Sequence, residues 1–219
     1  TGKLLRRPYF LGPDDPDGLP READPPSLRA IRSAMWSDAI MINLDGRAPE
    51  FAEHVRHLDA AAAPYGAVRE GPNTDNIDYV IDANWKLIVE NFIDSYHVKW
   101  IHKELDATTP MTTYRHETVG NISIGRAPAP LSRPGYGGNM PGWPGMSEES
   151  TQTLTYLALF PNLLLVFSSD QMTCFHLMPD GPFRTRERIK FYMPHDALSP
   201  EFETDRTESV NAYRKLNDE

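Results

Sequence analysis

Cysteine is almost missing from this chain: among 219 residues there is Cys174 and no other. One thiol cannot close an internal disulfide, and it cannot supply the several ligands of an iron–sulfur cluster. The composition suits a reducing compartment, so a cytoplasmic location is expected. Long apolar runs are missing as well. No stretch approaches the roughly 18 uninterrupted apolar residues of a membrane span, and the opening TGKLLRRPYF lacks the apolar core of a signal peptide. Positive charge is in short supply, with 22 Lys and Arg against 31 Asp and Glu, a net charge of -9. Polyanions are held by clustered Lys and Arg, so the balance argues against nucleic-acid and membrane-surface partners and leaves neutral or cationic small molecules open.

What is present is enough apolar material for a sizeable core, at 40% of the residues. Residues 1–27 are dense in Pro and Gly and suit a surface connection, with 2–10 as a last strand of a preceding unit. Residues 28–44 have strand character, and Asp45-Gly46 reads as a turn. Phe51, Val55, Leu58 and Ala62 recur at helical spacing within 49–65. Residues 76–83 alternate as a strand, and one or two more strands surround Gly120. Residues 127–150 form a long Pro/Gly-rich loop, either a lid or a disordered crossing, in which Trp143 is the most conspicuous side chain. Four strands separated by short turns follow over 151–160, 162–168, 171–178 and 185–193, then an amphipathic helix over 199–216. Strands and helices do not alternate one for one, so the fold class is α+β around a mainly antiparallel sheet.

The chemistry concentrates in Asn84 to Leu105, NWKLIVENFIDSYHVKWIHKEL. Most of it reads as one helix. Its apolar residues spread around much of the axis, which predicts burial, and its polar members Asn91, Asp94, His97 and His102 then need partners inside. Imidazole and carboxylate are donors for iron and zinc. Two histidines five apart project roughly 140° apart on a regular helix. Binding one ion therefore requires a distortion between them, such as a π-type turn. The zinc-protease pattern His-Glu-x-x-His is absent.

The spacing N-W-K-x-x-x-E-N-x-x-D-x-Y-H-x-x-x-x-H resembles the signature of the catalytic domain of Rieske non-haem iron oxygenases, the aromatic-ring-hydroxylating large subunits. Every fixed position is filled, by Asn84, Trp85, Lys86, Glu90, Asn91, Asp94, Tyr96, His97 and His102. Trp36 with 40–46 and Phe160-Pro161-Asn162 are similar to further stretches of that family, so the resemblance covers essentially the whole chain. It implies a helix-grip fold, a curved sheet wrapped around a long metal-bearing helix. It divides the chain into a tail of a Rieske domain with linker, 1–27, and a catalytic domain, 28–219, truncated at its C-terminus. It implies a mononuclear Fe(II) on His97, His102 and one carboxylate, a triad that leaves positions open for O2. Asp94 matches the aspartate that links an iron-bound histidine to the [2Fe-2S] Rieske cluster of a neighbouring subunit, and Asn91 matches an asparagine near the iron.

Two departures accompany the match. The cluster's two motifs, Cys-x-His and Cys-x-x-His, need two cysteines; Cys174-Phe175-His176 stands alone with no Cys-x-x-His beside it, so the cluster's ligand set is absent from this chain. The carboxylate ligand falls at Asp218 or just beyond Glu219. The resemblance implies an oxidoreductase of the mono- or dioxygenase kind. With O2 and a ferredoxin or reductase donor it would hydroxylate an aromatic ring, as in aromatic hydrocarbon catabolism, or oxidatively demethylate or cleave a small substrate. Homotrimers, alone or with three β subunits, are the implied assembly, and this chain by itself is not expected to turn over. The rivals are a non-catalytic helix-grip module that binds ligands without metal, and a structural zinc site, which would want four closed ligands. Expected pocket residues are Phe92, Val98, the 127–150 loop and strands near Phe167 and Phe175.

Overall fold

A computed structural model describes residues 2–22, 26–128 and 139–219. The chain forms two compact units, 1–51 and 52–219. The first holds a two-stranded hairpin, β1 (Arg32–Trp36) and β2 (Ala39–Asn43). Ser37, with φ of 51°, turns between them, which divides the single stretch of strand character read from the sequence. This hairpin lies within the first compact unit.

The second unit begins within α1 (Phe51–Ala62), which buries Val55, Leu58, Ala61 and Ala62 along one face. A seven-stranded sheet follows, with β3 (Asn73–Ile81), β4 (Arg115–Val119), β5 (Ile122–Pro128), β6 (Thr153–Leu159), β7 (Leu163–Phe167), β8 (Met172–Pro179) and β9 (Thr185–Tyr192). Every pairing is antiparallel, in the order β3-β9-β8-β7-β6-β5-β4. Sequence neighbours pair from β4 to β9, through short turns except between β5 and β6, where residues 129–152 intervene. β3 instead closes the far edge against β9.

Three further helices are α2 (Trp85–Ile93), α3 (Lys103–Thr108) and α4 (Glu148–Thr151), and α5 (Glu203–Asp218) ends the chain. α2 and α5 pack on one sheet face, where Leu164, Phe175, Ile189 and Phe191 meet Val210 and Tyr213 from α5 and Trp85, Ile88, Val89 and Phe92 from α2. Burying side chains of this size contributes about 1.5–3 kcal/mol each. The α+β reading holds. The single long helix does not form, because the chain leaves helical geometry after Ile93.

The loop expected over 127–150 is in part well packed. Its residues 129–138 lie outside the described residues, but Met140 and Trp143 are buried. The Trp143 ring lies where a side chain at Gly71 would stand, so that glycine makes room for it.

Candidate active site

The site begins with a helix cap. Asn84 accepts the Lys86 backbone N–H at 3.1 Å, and its side-chain NH2 donates to the Pro182 carbonyl at 2.8 Å. This fixes the start of α2 against the turn between β8 and β9. At the other end Asp94 turns extended, with ψ of 124°, and its carboxylate accepts the backbone N–H groups of Tyr96 (3.1 Å) and His97 (3.2 Å). An aspartate holding N–H groups two and three residues ahead offers the backbone an alternative to the helix. A 3₁₀ turn, Tyr96–Lys99, follows, and His102 is the cap residue of α3. The break therefore falls before His97, and the connection from His97 to His102 uses 3₁₀ and i→i+4 bonds in place of a π-type turn. The expectation of burial is corrected too. No residue of α2 is fully buried, and Leu87, Tyr96, Trp100 and Ile101 are each more than half exposed.

This irregular path brings the two imidazoles together. Their ring centroids lie 5.1 Å apart, nearly perpendicular. His97 Nδ1–H donates to Asp94 at 3.2 Å, and His102 Nδ1–H donates to Glu219 at 2.8 Å. A carboxylate accepting from Nδ1 sets the tautomer, so each ring keeps its Nε2 lone pair for a metal. Burial opposes ionisation of Asp94, but the Tyr96 and His97 N–H groups and the His97 ring outweigh it and hold its carboxyl below the usual value. Asp218 does not join the pair. It acts on the Tyr79 hydroxyl, whose pKa is raised first by burial and then by that carboxylate. Glu219, the residue just past the end of α5, is the carboxylate that meets His102. Among the described residues, no group of three His, Cys, Asp or Glu side chains forms a ready metal cage. By donor type, the two free imidazole nitrogens beside an acidic helix end fit a ferrous ion.

The pair opens on a cavity of about 530 Å³ lined mainly by apolar side chains. Asn91, Phe92 and Val98 border it, as do Tyr156, Phe175 and Tyr213. Phe167 packs inward on Tyr65 instead, and its neighbour Val166 lines the cavity. None of the described residues of the 127–150 loop does. Asp94 also borders a shallower cleft with Ser95, Tyr96, Met111 and His116, so it stands between two surfaces. In that cleft His116 Nε2 lies 3.0 Å from the Ser95 hydroxyl and 3.2 Å from the Tyr156 hydroxyl, joining cleft to cavity. Burial, then Tyr114 and Asp94, raise the Tyr156 pKa. Cys174 is buried, with its Sγ 3.2 Å from His176 Nε2, and neither residue lines the cavity.

Sequence reasoning missed two carboxylates. Glu219 faces His102 only because α5 runs two residues past the expected helix end. Glu187 lines the cavity at 3% exposure, on the same face of β9 as Ile189 and Phe191. The two-residue period of T-R-E-R-I-K-F carries that signal: Glu187 shares the parity of the buried residues, and Arg186, Arg188 and Lys190 hold the other.

Chloroplastic choline monooxygenase of Atriplex hortensis is 27% identical over 176 residues, covering 78% of this chain and 37% of that protein. The enzyme of Spinacia oleracea is 24% identical over 176 residues, covering 78% and 38%. The chain thus spans about two-fifths of the length of these relatives. They are chloroplastic, in contrast to the cytoplasmic location expected from cysteine content. No helix among the described residues is long and apolar enough to cross a membrane. The quaternary ammonium Rieske monooxygenase CntA has the same fold, with a TM-score of 0.69 at 17% identity over 93% of this chain and 51% of that one. Naphthalene 1,2-dioxygenase from Rhodococcus shares it with a TM-score of 0.60 at 20% identity, over 84% and 49%. The family described as ring hydroxylating alpha subunit (catalytic domain) matches residues 69–219, and this chain belongs to that family, the large subunits of the Rieske oxygenases.

Proposed function

We propose that the chain is the catalytic portion of an oxygenase in which His97 and His102 hold a ferrous ion through Nε2, beside an anionic donor from the Asp218–Glu219 end of α5. The observation that carries this reading is the imidazole pair, each Nδ1 committed to a carboxylate, at the rim of an apolar cavity. A ferrous ion held by two imidazoles and a carboxylate keeps positions open for O2 and supplies oxygen activation. The chain's own residues do the rest. Asp94 fixes the His97 ring, and the apolar walls exclude water and orient substrate. Asn91 borders the reaction space.

Asp94 also faces the outer cleft, which suits the entry of electrons from a [2Fe-2S] cluster carried by a neighbouring subunit. That relay, a reductase donor and a trimeric assembly complete the proposal, with residues 1–27 as the end of the cluster-bearing domain and the sheet as a helix-grip. The relatives' names favour oxidation of a small ammonium compound over arene dihydroxylation. A ligand-binding module without metal has no use for the imidazole pair.

The test uses the full-length protein with its reductase. Asp94→Asn is expected to keep its iron and lose at least a hundredfold in product formation. Product formed at the wild-type rate by Asp94→Asn would remove Asp94 from the relay.

A further inference from the structure

Among the described residues that line the cavity, Glu187 is the carboxylate that the arrangement above leaves without a partner. It is 3% exposed, and its Oε2 accepts no hydrogen bond from the described residues. A buried carboxylate in that state is costly unless something pairs with it. The neighbouring cations do not. Arg186 and Arg188 project from the opposite face of β9 and pair with Asp180 and Asp78. Burial pushes the Glu187 carboxyl up to about 7, with no cation among the described residues acting against it. The side chain lines the same cavity as the imidazole pair.

Directly across the sheet it faces Tyr79 on β3 and Leu177 on β8, and aromatic rings lie beyond them. On the inner face of the sheet, Phe175 pairs with Ile189, which puts Glu187 diagonally beside it. The Phe175 ring lies 5.3 Å from Phe92 and 6.2 Å from Tyr213, and Phe92 lies 6.0 Å from Tyr156. All four rings line the cavity. Aromatic faces attract organic cations, and more strongly where water is excluded.

We propose that Glu187 is the recognition group for substrate charge: a small alkylammonium headgroup seats among these rings with its positive charge against the Glu187 carboxylate. This rests on the cavity being the substrate site of the proposed oxygenase, and it extends that reading to a residue and a charge. A neutral arene would leave the carboxylate unpaired, so the same residue selects against it.

The experiment measures binding without turnover. Full-length, iron-loaded protein is titrated at pH 8 with choline and, separately, with its neutral isostere carrying a quaternary carbon in place of nitrogen. Wild type is expected to bind choline at least tenfold more tightly than the isostere. Glu187→Gln should bring the two within about twofold, leaving the affinity for the isostere and the iron content unchanged. Equal wild-type affinities for the pair would overturn the proposal without any variant. So would a Glu187→Gln protein that keeps the tenfold preference. If Glu187→Gln does not fold, Glu187→Asp, which keeps the charge, must keep the preference for the cation. Failure of the oxygenase reading shows separately, as no iron uptake or as product formation that survives loss of His97.

Discussion

Residues 153–192 and residues 84–108 follow opposite rules. The first stretch is a meander of four strands in which Leu157, Leu159, Leu164, Leu165, Phe167 and Phe191 are buried almost completely. Its turns are short and its geometry regular. The second is built from two short helices and a 3₁₀ turn, and it leaves Leu87, Tyr96, Trp100 and Ile101 largely exposed. The meander stabilises by removing apolar surface from water. The 84–108 stretch gives up helix continuity so that Asp94, His97 and His102 converge. Stability and chemistry are held in different parts of the same unit, and substitutions in each should fail differently.

The largest effect on folding should come from the meander. Leu165 is fully buried on β7, and Leu165→Ala should cost about 2–5 kcal/mol in denaturant unfolding. A loss below about 1 kcal/mol would mean that the sheet is not the stabilising element.

Glu187 sits between the two regimes, as a site residue placed inside the core. Its ordinary pKa is 4.5 and its folded value about 7. The folded protein therefore binds more protons than the unfolded chain between these values, and stability falls as pH rises across that window. The cost is absent below about pH 4.5 and complete above about pH 7, on the order of 3 kcal/mol. Glu187→Gln should thus melt higher than wild type at pH 8 and level with it at pH 4. A variant that gained as much at acid pH would place the cause elsewhere.

Asn84→Ala should cost about 1 kcal/mol through loss of the cap. Because that cap orients α2, the variant should also weaken iron retention, measured by metal content after dialysis. At the small end, Trp100→Ser is expected to change stability by about 0.5 kcal/mol or less, since that side chain is 59% exposed.

The same contrast governs what could be read from sequence. Strands β6 to β9 were legible because apolar runs met turn residues at each end, a local signal that burial reinforces. The two histidines singled out by their spacing within the pattern around Asn84 do lie side by side. The helix break was not. The apolar spread of Trp85 to Ile101 suggested one continuous buried helix, while the breaking signal was only Asp94-Ser95, two residues that compete with the helix through side-chain bonds to the backbone. The helix end at Asp218–Glu219 was missed for a related reason. Which carboxylate meets His102 depends on the rotation of α5, set by Val210 and Tyr213 packing on the sheet, and no local pattern records a rotation fixed by a distant contact.

The most direct measurement is ferrous-ion binding by full-length wild type, His97→Ala and His102→Ala, read by metal content and by an optical or magnetic probe of the bound ion. The account predicts one mononuclear ion per wild-type chain, lost in both variants while circular dichroism and unfolding of the sheet stay close to wild type. Retention of that mononuclear ion at wild-type affinity in either variant would contradict it.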